Sequence, residues 1–195
     1  MLTFVSAVFL LLITPGPGVL STAGVGSSFG KTAGLRYLIG LFIGTNLVAL
    51  AVITGVAGLL LAHEGARTVL LIASTLYLVY LALRIATAGS SIAFITREKP
   101  PSIFDGITLQ IINPKAYVVN TAVFTGFPLA GFSFGTEMLT KCVLLNAIWI
   151  PIHLLWLSLG IGIDKLDLDR RWQRLINIAM AIALLGVVGL AALYS

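Results

Sequence analysis

Residues 38–62 read LIGLFIGTNLVALAVITGVAGLLLA, a run without a charge and without polar–apolar alternation. A transmembrane β-strand alternates over about ten residues, and a helix on the surface of a soluble domain sets an apolar stripe against a polar face. A run that is apolar on every side and exceeds the roughly 20 residues needed to cross the hydrocarbon core reads as a membrane-spanning helix. The rest of the chain repeats that pattern. Hydrophobic residues make up 58% of it and charged residues 10%, against about 25% charged in soluble domains.

Charges and turn formers divide the remainder into five further apolar stretches, near 3–25, 67–84, 104–127, 140–162 and 174–194. The expected fold class is an all-α integral membrane protein of about six transmembrane helices, with residues 1–195 forming one transmembrane domain. The opening Met1-Leu2-Thr3-Phe4 lacks the basic start of a signal peptide, so the first stretch reads as a retained helix.

The net charge is +5, but the basic residues are scattered between apolar runs instead of forming a face with interleaved aromatics. That excludes a nucleic-acid partner and leaves membrane lipid. Lys31, Arg36, Arg84, Arg97, Lys99, Lys165, Arg170, Arg171 and Arg174 follow the first, third and fifth stretches, whereas only Arg67 and Lys141 follow the second and fourth. The positive-inside rule then places the odd-numbered loops in the cytoplasm and both termini outside. The piece from Ile85 to Ile95 is apolar but too short to cross, and reads as a helix extension or an interfacial segment before the Pro100-Pro101 pair.

Two apolar stretches carry interruptions. Thr14-Pro15-Gly16-Pro17-Gly18 falls inside the first; each proline removes an amide donor and the glycines lower the cost of leaving the helix. Asn113-Pro114-Lys115 falls inside the fourth, and Lys115 is the one cation that no loop readily claims. Irregular backbone at membrane depth is tolerated only inside protein or along a wet cavity, and an intramembrane charge marks a functional site by default. Two plainer readings stay open. The first interruption is also compatible with a simple proline kink. The uncharged run Ala116 to Thr136 is long enough to cross by itself, with Lys115 as an interfacial anchor.

The interruptions correspond: Leu12-Ile13-Thr14-Pro15 matches Ile111-Ile112-Asn113-Pro114, and Gly26-Ser27-Ser28-Phe29-Gly30 resembles Gly131-Phe132-Ser133-Phe134-Gly135. The expectation is two three-helix repeats, about 1–84 and 104–195 around a linker at about 85–103, the second inverted because each holds an odd number of spans. Broken helices at matching positions of inverted halves point to a transporter site near the midplane.

Pro15-Gly16-Pro17 in the first helix, Tyr77-Leu78 in the third and Asn113-Pro114-Lys115-Ala116 in the fourth, within a chain of 195 residues, resemble the LysE/RhtB family of amino-acid exporters over essentially its whole length. The resemblance implies a six-helix secondary transporter in the cytoplasmic membrane of a prokaryote. It would export amino acids or small amino-acid-like solutes, coupled to a proton or ion gradient. Many members carry an acidic residue after the first motif and another in the second helix, where this chain has Gly18 and Thr45-Asn46.

The candidate solute-binding residues are Pro15, Gly16, Pro17, Gly18, Asn46, Asn113, Pro114 and Lys115. The amides around Gly16 and Gly18 would hold a carboxylate as helix N-termini do, Lys115 would add a charged contact, and Asn113 and Asn46 neutral ones. His153 reads as a packed histidine or a proton relay, and Gln110, Asn120 and Asn146 as hydrogen-bonding links between helices. Asp105 and Glu137 read as solvated residues near helix ends. The Gly40/Gly44 spacing fits close helix packing, inside the chain or in a homodimer. Neither a catalytic constellation nor a cofactor motif is evident, and with His63 and His153 as the two histidines a His-Glu-x-x-His metal motif is absent. A metal-cation exporter of related architecture is the alternative, with Cys142 and His153 as its sparse intramembrane ligands; a membrane enzyme or a non-transporting assembly subunit has less behind it.

Single cysteines introduced as Gly16→Cys, Asn113→Cys and Ala116→Cys in a Cys142→Ser background are expected to react with a small polar thiol reagent and to be protected by the transported solute. Reaction of Asn113→Cys from the cytoplasmic side regardless of solute, with Gly16→Cys inert, would make Lys115 an interfacial anchor.

Overall fold

Pro17 lacks an amide hydrogen and has a preset φ, which suits the first position of a helix, and it opens the central helix of the structure. The computed structural model describes residues 1–14, 16–55, 62–87 and 99–165, with further single positions at 58, 171–172, 174–175, 178–179 and 182. The helices are α1 (Leu2–Ile13), α2 (Pro17–Ile53), α3 (Glu64–Thr87), α4 (Ile103–Ile112), α5 (Pro114–Gly126) and α6 (Phe134–Lys165). The described residues contain no strand. The expected segment 85–95 and the helix near 174–194 lie largely outside the described residues.

α2 is interrupted at Gly30, where φ is 77° and ψ is −174°, a conformation essentially restricted to glycine. The chain doubles back there. A straight helix would separate residues 26 and 34 by about 12 Å, yet a Cβ on Gly34 would lie 3.6 Å from the Cα of Gly26. Tyr37 likewise donates a 3.0 Å hydrogen bond to Ser21 Oγ across the two arms. The loop expected between the first and second stretches thus contracts to a single glycine, and Lys31 and Arg36 stand on the opening turns of the second arm.

Both interruptions read from the sequence divide helices. α1 ends at Ile13 and α2 starts at Pro17; α4 ends at Ile112 and α5 starts at Pro114, with Asn113 in extended geometry between them. Helical structure ends at Gly126, so the run from Ala116 to Thr136 is not one helix.

α2 packs against α4, α5 and α6 and forms the axis of the bundle. Its second arm meets α4 through small residues. A Cβ on Gly40 would run into the Ile103 carbonyl, one on Gly106 into the Tyr37 carbonyl, and one on Gly44 would sit 2.7 Å from Gln110 Cβ. The Gly40/Gly44 spacing therefore serves packing within the chain. With lipid tails as apolar as the side chains, such close van der Waals fit is what holds membrane helices together. Tyr37, Leu41, Leu109, Trp149 and Leu157 are buried in one cluster, and Phe4, Val8, Val123 and Leu145 in another. On the opposite side of the same arm Ile39, Ile43, Leu47 and Leu50 are exposed at helical spacing. That stripe suits contact with hydrocarbon, and in water it would be a large exposed apolar patch.

Lys141 departs from its expected loop position. It lies in α6 and is fully buried, 2.7 Å from Glu137 Oε1 and donating to the Phe124 carbonyl at 3.1 Å. Burial is sustainable because the carboxylate one turn earlier balances the charge and a carbonyl from the end of α5 takes a second proton. Glu137, expected to be solvated, also accepts the Leu129 amide and so pins the 127–133 connection. Asp105 closes a capping box with Ser102 at the start of α4 and accepts from the Tyr77 hydroxyl, which ties α3 to that end.

Gly106→Ala is expected to lower stability by about 1–3 kcal/mol, the usual cost of overpacking, measured by thermal unfolding of the purified protein in detergent. Gly135→Ala, where an added Cβ meets nothing within 4 Å, should stay within about 0.5 kcal/mol.

Candidate functional site

The last carbonyls of a helix have no partners within it; at the end of α1 the Leu10 carbonyl accepts from the Thr14 amide and hydroxyl, and prolines at 15 and 17 remove two of the amides that could have served the carbonyls after it. Lys115, in the first turn of α5, reaches across 101 residues of sequence and places Nζ 2.7 Å from the Thr14 carbonyl. Its aliphatic end lies directly on Gly16, where an added Cβ would stand 2.9 Å from both Cδ and Nζ. The end of α4 is served from the same helix: the Tyr117 hydroxyl donates to the Ile111 carbonyl at 2.8 Å. Residues of α5 therefore satisfy carbonyls at both interruptions.

A cavity of about 50 Å³ opens beside this contact. Thr14, Gly18, Thr45, Gln110, Asn113, Lys115, Asn120 and His153 supply its polar wall, and Leu11, Leu12, Val19, Ala116, Val119, Leu145 and Trp149 its apolar one. Among these described lining residues none is acidic. The polar groups form a connected set. Gln110 Nε2 donates to Thr45 Oγ1, Asn113 Nδ2 donates to Gln110 Oε1 at 3.0 Å, and Asn113 Oδ1 accepts the Lys115 amide at 3.1 Å. Buried amides joined in this way hold one another's orientation.

His153 is buried, with its ring stacked on Trp149 at 3.6 Å between centroids. Nδ1 lies 2.9 Å from the Trp149 carbonyl. A carbonyl only accepts, so Nδ1 carries the proton of that bond. Nε2 is directed toward Gly18, whose added Cβ would meet it at 3.5 Å.

The family model for the LysE type translocator matches residues 9–195. The chain belongs to the LysE type translocator family. Comparison with curated proteins and with solved structures gives no match. Membership makes this chain an integral membrane protein of a transporter family, and the lipid-suited face of the second arm of α2 and the long apolar helix Phe134–Gly162 agree with it.

The translocator fold brings together Gly18, Asn113 and Lys115 of the residues singled out in the sequence, with Gly16 packed behind the lysine. Pro17 and Pro114 act through backbone geometry, each as the first residue of its helix, and neither lines the cavity. Pro15 lies outside the described residues. Asn46 does not reach the cavity, contrary to expectation. It exchanges hydrogen bonds with Asn146, at 3.2 Å one way and 2.9 Å the other, while Phe42 and Cys142 carbonyls take the remaining amide protons. Its neighbour Thr45 faces the cavity instead, because one residue along a helix turns the side chain by about 100°. Gln110, Asn120 and His153, read from the sequence chiefly as packing or linking groups, stand on the cavity wall. Spacing carried a signal for two of them: Leu145, Trp149 and His153 recur every four residues on one face of α6, and Gln110 precedes Asn113 by one turn.

In the Asn46→Leu, Asn146→Leu double-mutant cycle the coupling energy is expected to be about 0.6–1.7 kcal/mol, the range for hydrogen bonds between membrane helices. Solute affinity of Asn46→Leu should stay near that of the unaltered protein; a tenfold loss of affinity would return Asn46 to the site.

Proposed function

We propose that the protein is a secondary transporter that exports amino acids or small amino-acid-like solutes across the cytoplasmic membrane of a prokaryote, driven by a proton or ion gradient, with the cavity at the two interrupted helices as its solute site. The observation that carries this reading is Lys115, a cation in a pocket whose other described lining residues include no acid, tethered to the broken end of α1. The first turn of α2 supplies the complementary part. Helix N-termini present amides without intrahelical acceptors and a positive dipole end, and Gly18 and Val19 of that turn line the cavity. A solute carboxylate placed between them and Lys115 gains charge-assisted hydrogen bonds from a site that is already arranged.

The arrangement of the two halves supports alternating access between inverted repeats. Thr14 and Asn113 hold equivalent places at the interruptions, and Asn46 and Asn146, 100 residues apart, bond reciprocally between α2 and α6. Reciprocal bonding between equivalent residues is what a local twofold axis produces. The charge distribution favours termini on the outer side.

Lys115→Ala is expected to abolish export in proteoliposomes or whole cells while membrane insertion and yield stay unchanged. Export within twofold of the unaltered protein by a correctly inserted variant would overturn the reading.

A further inference from the structure

We infer that the cavity selects small carboxylates whose second polar group is an uncharged donor, a hydroxyl, over the corresponding amino acids, because the place a solute ammonium would take at the carbonyl end of α1 is already filled by Lys115. This inference rests on the cavity being the solute site, as proposed above.

The broken end of α1 is the natural cation position of the pocket. A helix C-terminus carries carbonyls without intrahelical partners and a negative dipole end that attract a positive group, and Lys115 Nζ sits there at 2.7 Å from the Thr14 carbonyl. No carboxylate lines the cavity among the described residues, so no charge is left to balance a second cation. The cavity, about 50 Å³, holds roughly four water molecules. Any solute in it lies within a few ångströms of Lys115. At that distance a solute ammonium is repelled by the lysine, whereas the carboxylate common to both solute classes is attracted.

Asn120 indicates what the other end of the solute must be. Its side chain is buried, with 2% of its surface exposed. Nδ2 donates to the Ala116 carbonyl at 2.7 Å, which fixes the orientation of the amide and leaves Oδ1 as the acceptor. Oδ1 has no hydrogen-bond partner. A buried acceptor left unpaired costs stability, and Thr45, Gln110 and Asn113 are already engaged with one another or with the Lys115 backbone. Lys115 and Asn120 line the same cavity. A small hydroxy acid held there would set its carboxylate at the lysine and donate its hydroxyl to Asn120 Oδ1. The hydroxyl supplies the missing proton without bringing a charge.

The test uses the purified full-length protein in detergent at pH 7 and compares matched pairs by calorimetric titration: lactate against alanine, and glycerate against serine, each differing in a hydroxyl or an ammonium on the second carbon. Expected are affinities at least tenfold tighter for lactate and glycerate, and a preference for lactate over propionate that Asn120→Leu removes. Equal or tighter binding of alanine and serine would overturn the inference and leave the proposed function standing. Binding of none of these carboxylates would remove both. Should Asn120→Leu fail to fold, the two matched pairs on the unaltered protein decide by themselves.

Discussion

The structure depends on how the carbonyls at the broken end of α1 are satisfied. In a membrane an unpaired backbone group has no water to turn to, and prolines at 15 and 17 remove two of the amides that could have served these carbonyls. Lys115 supplies a donor from the other half of the chain. The contact answers two demands at once: the half-buried ammonium gains an acceptor, and the helix end gains a donor. Gly16 is shaped to it, since any side chain there would displace the lysine.

The same device recurs at the end of α5, where Lys141 donates to the Phe124 carbonyl. The difference between the two lysines is instructive. Lys141 has Glu137 at 2.7 Å and is sealed off completely, so its charge is spent on structure. Lys115 has no carboxylate beside it among the described residues and borders a cavity, the geometry on which its proposed role toward a solute rests. A buried cation with a partner acid stabilises; a half-buried one bonded to a carbonyl keeps an appetite for an anion.

Around this contact the helices approach through missing side chains. Gly40, Gly44 and Gly106 let α2 and α4 come into backbone contact, which brings Thr45 within hydrogen-bonding reach of Gln110 and thereby fixes Asn113 and the opening of α5. The turn at Gly30 sets the first arm of α2 against the second so that Gly18 faces His153. The tight packing of small residues and the polar lining of the cavity are thus one arrangement. Loosening the α2–α4 contact would slacken the amide chain that holds the site.

The sequence by itself determined the helical membrane character, because an uncharged run such as Leu38 to Ala62 has no stable place in water. It also determined both interruptions, since proline removes a donor wherever it stands, and it marked Lys115, since an unassigned charge in an apolar stretch is costly. Tertiary structure decided the rest. Gly30 as a hairpin turn, Lys141 as a buried partner of Glu137, the pairing of Asn46 with Asn146, and the gathering of Gln110, Asn120 and His153 around the cavity all depend on contacts between residues far apart in the chain. Residues 45 and 46 show the limit most clearly. Both are polar and adjacent, and which of them faces the cavity is set by the rotation of α2 against its neighbours, a quantity that a helix apolar on all sides does not record in its sequence.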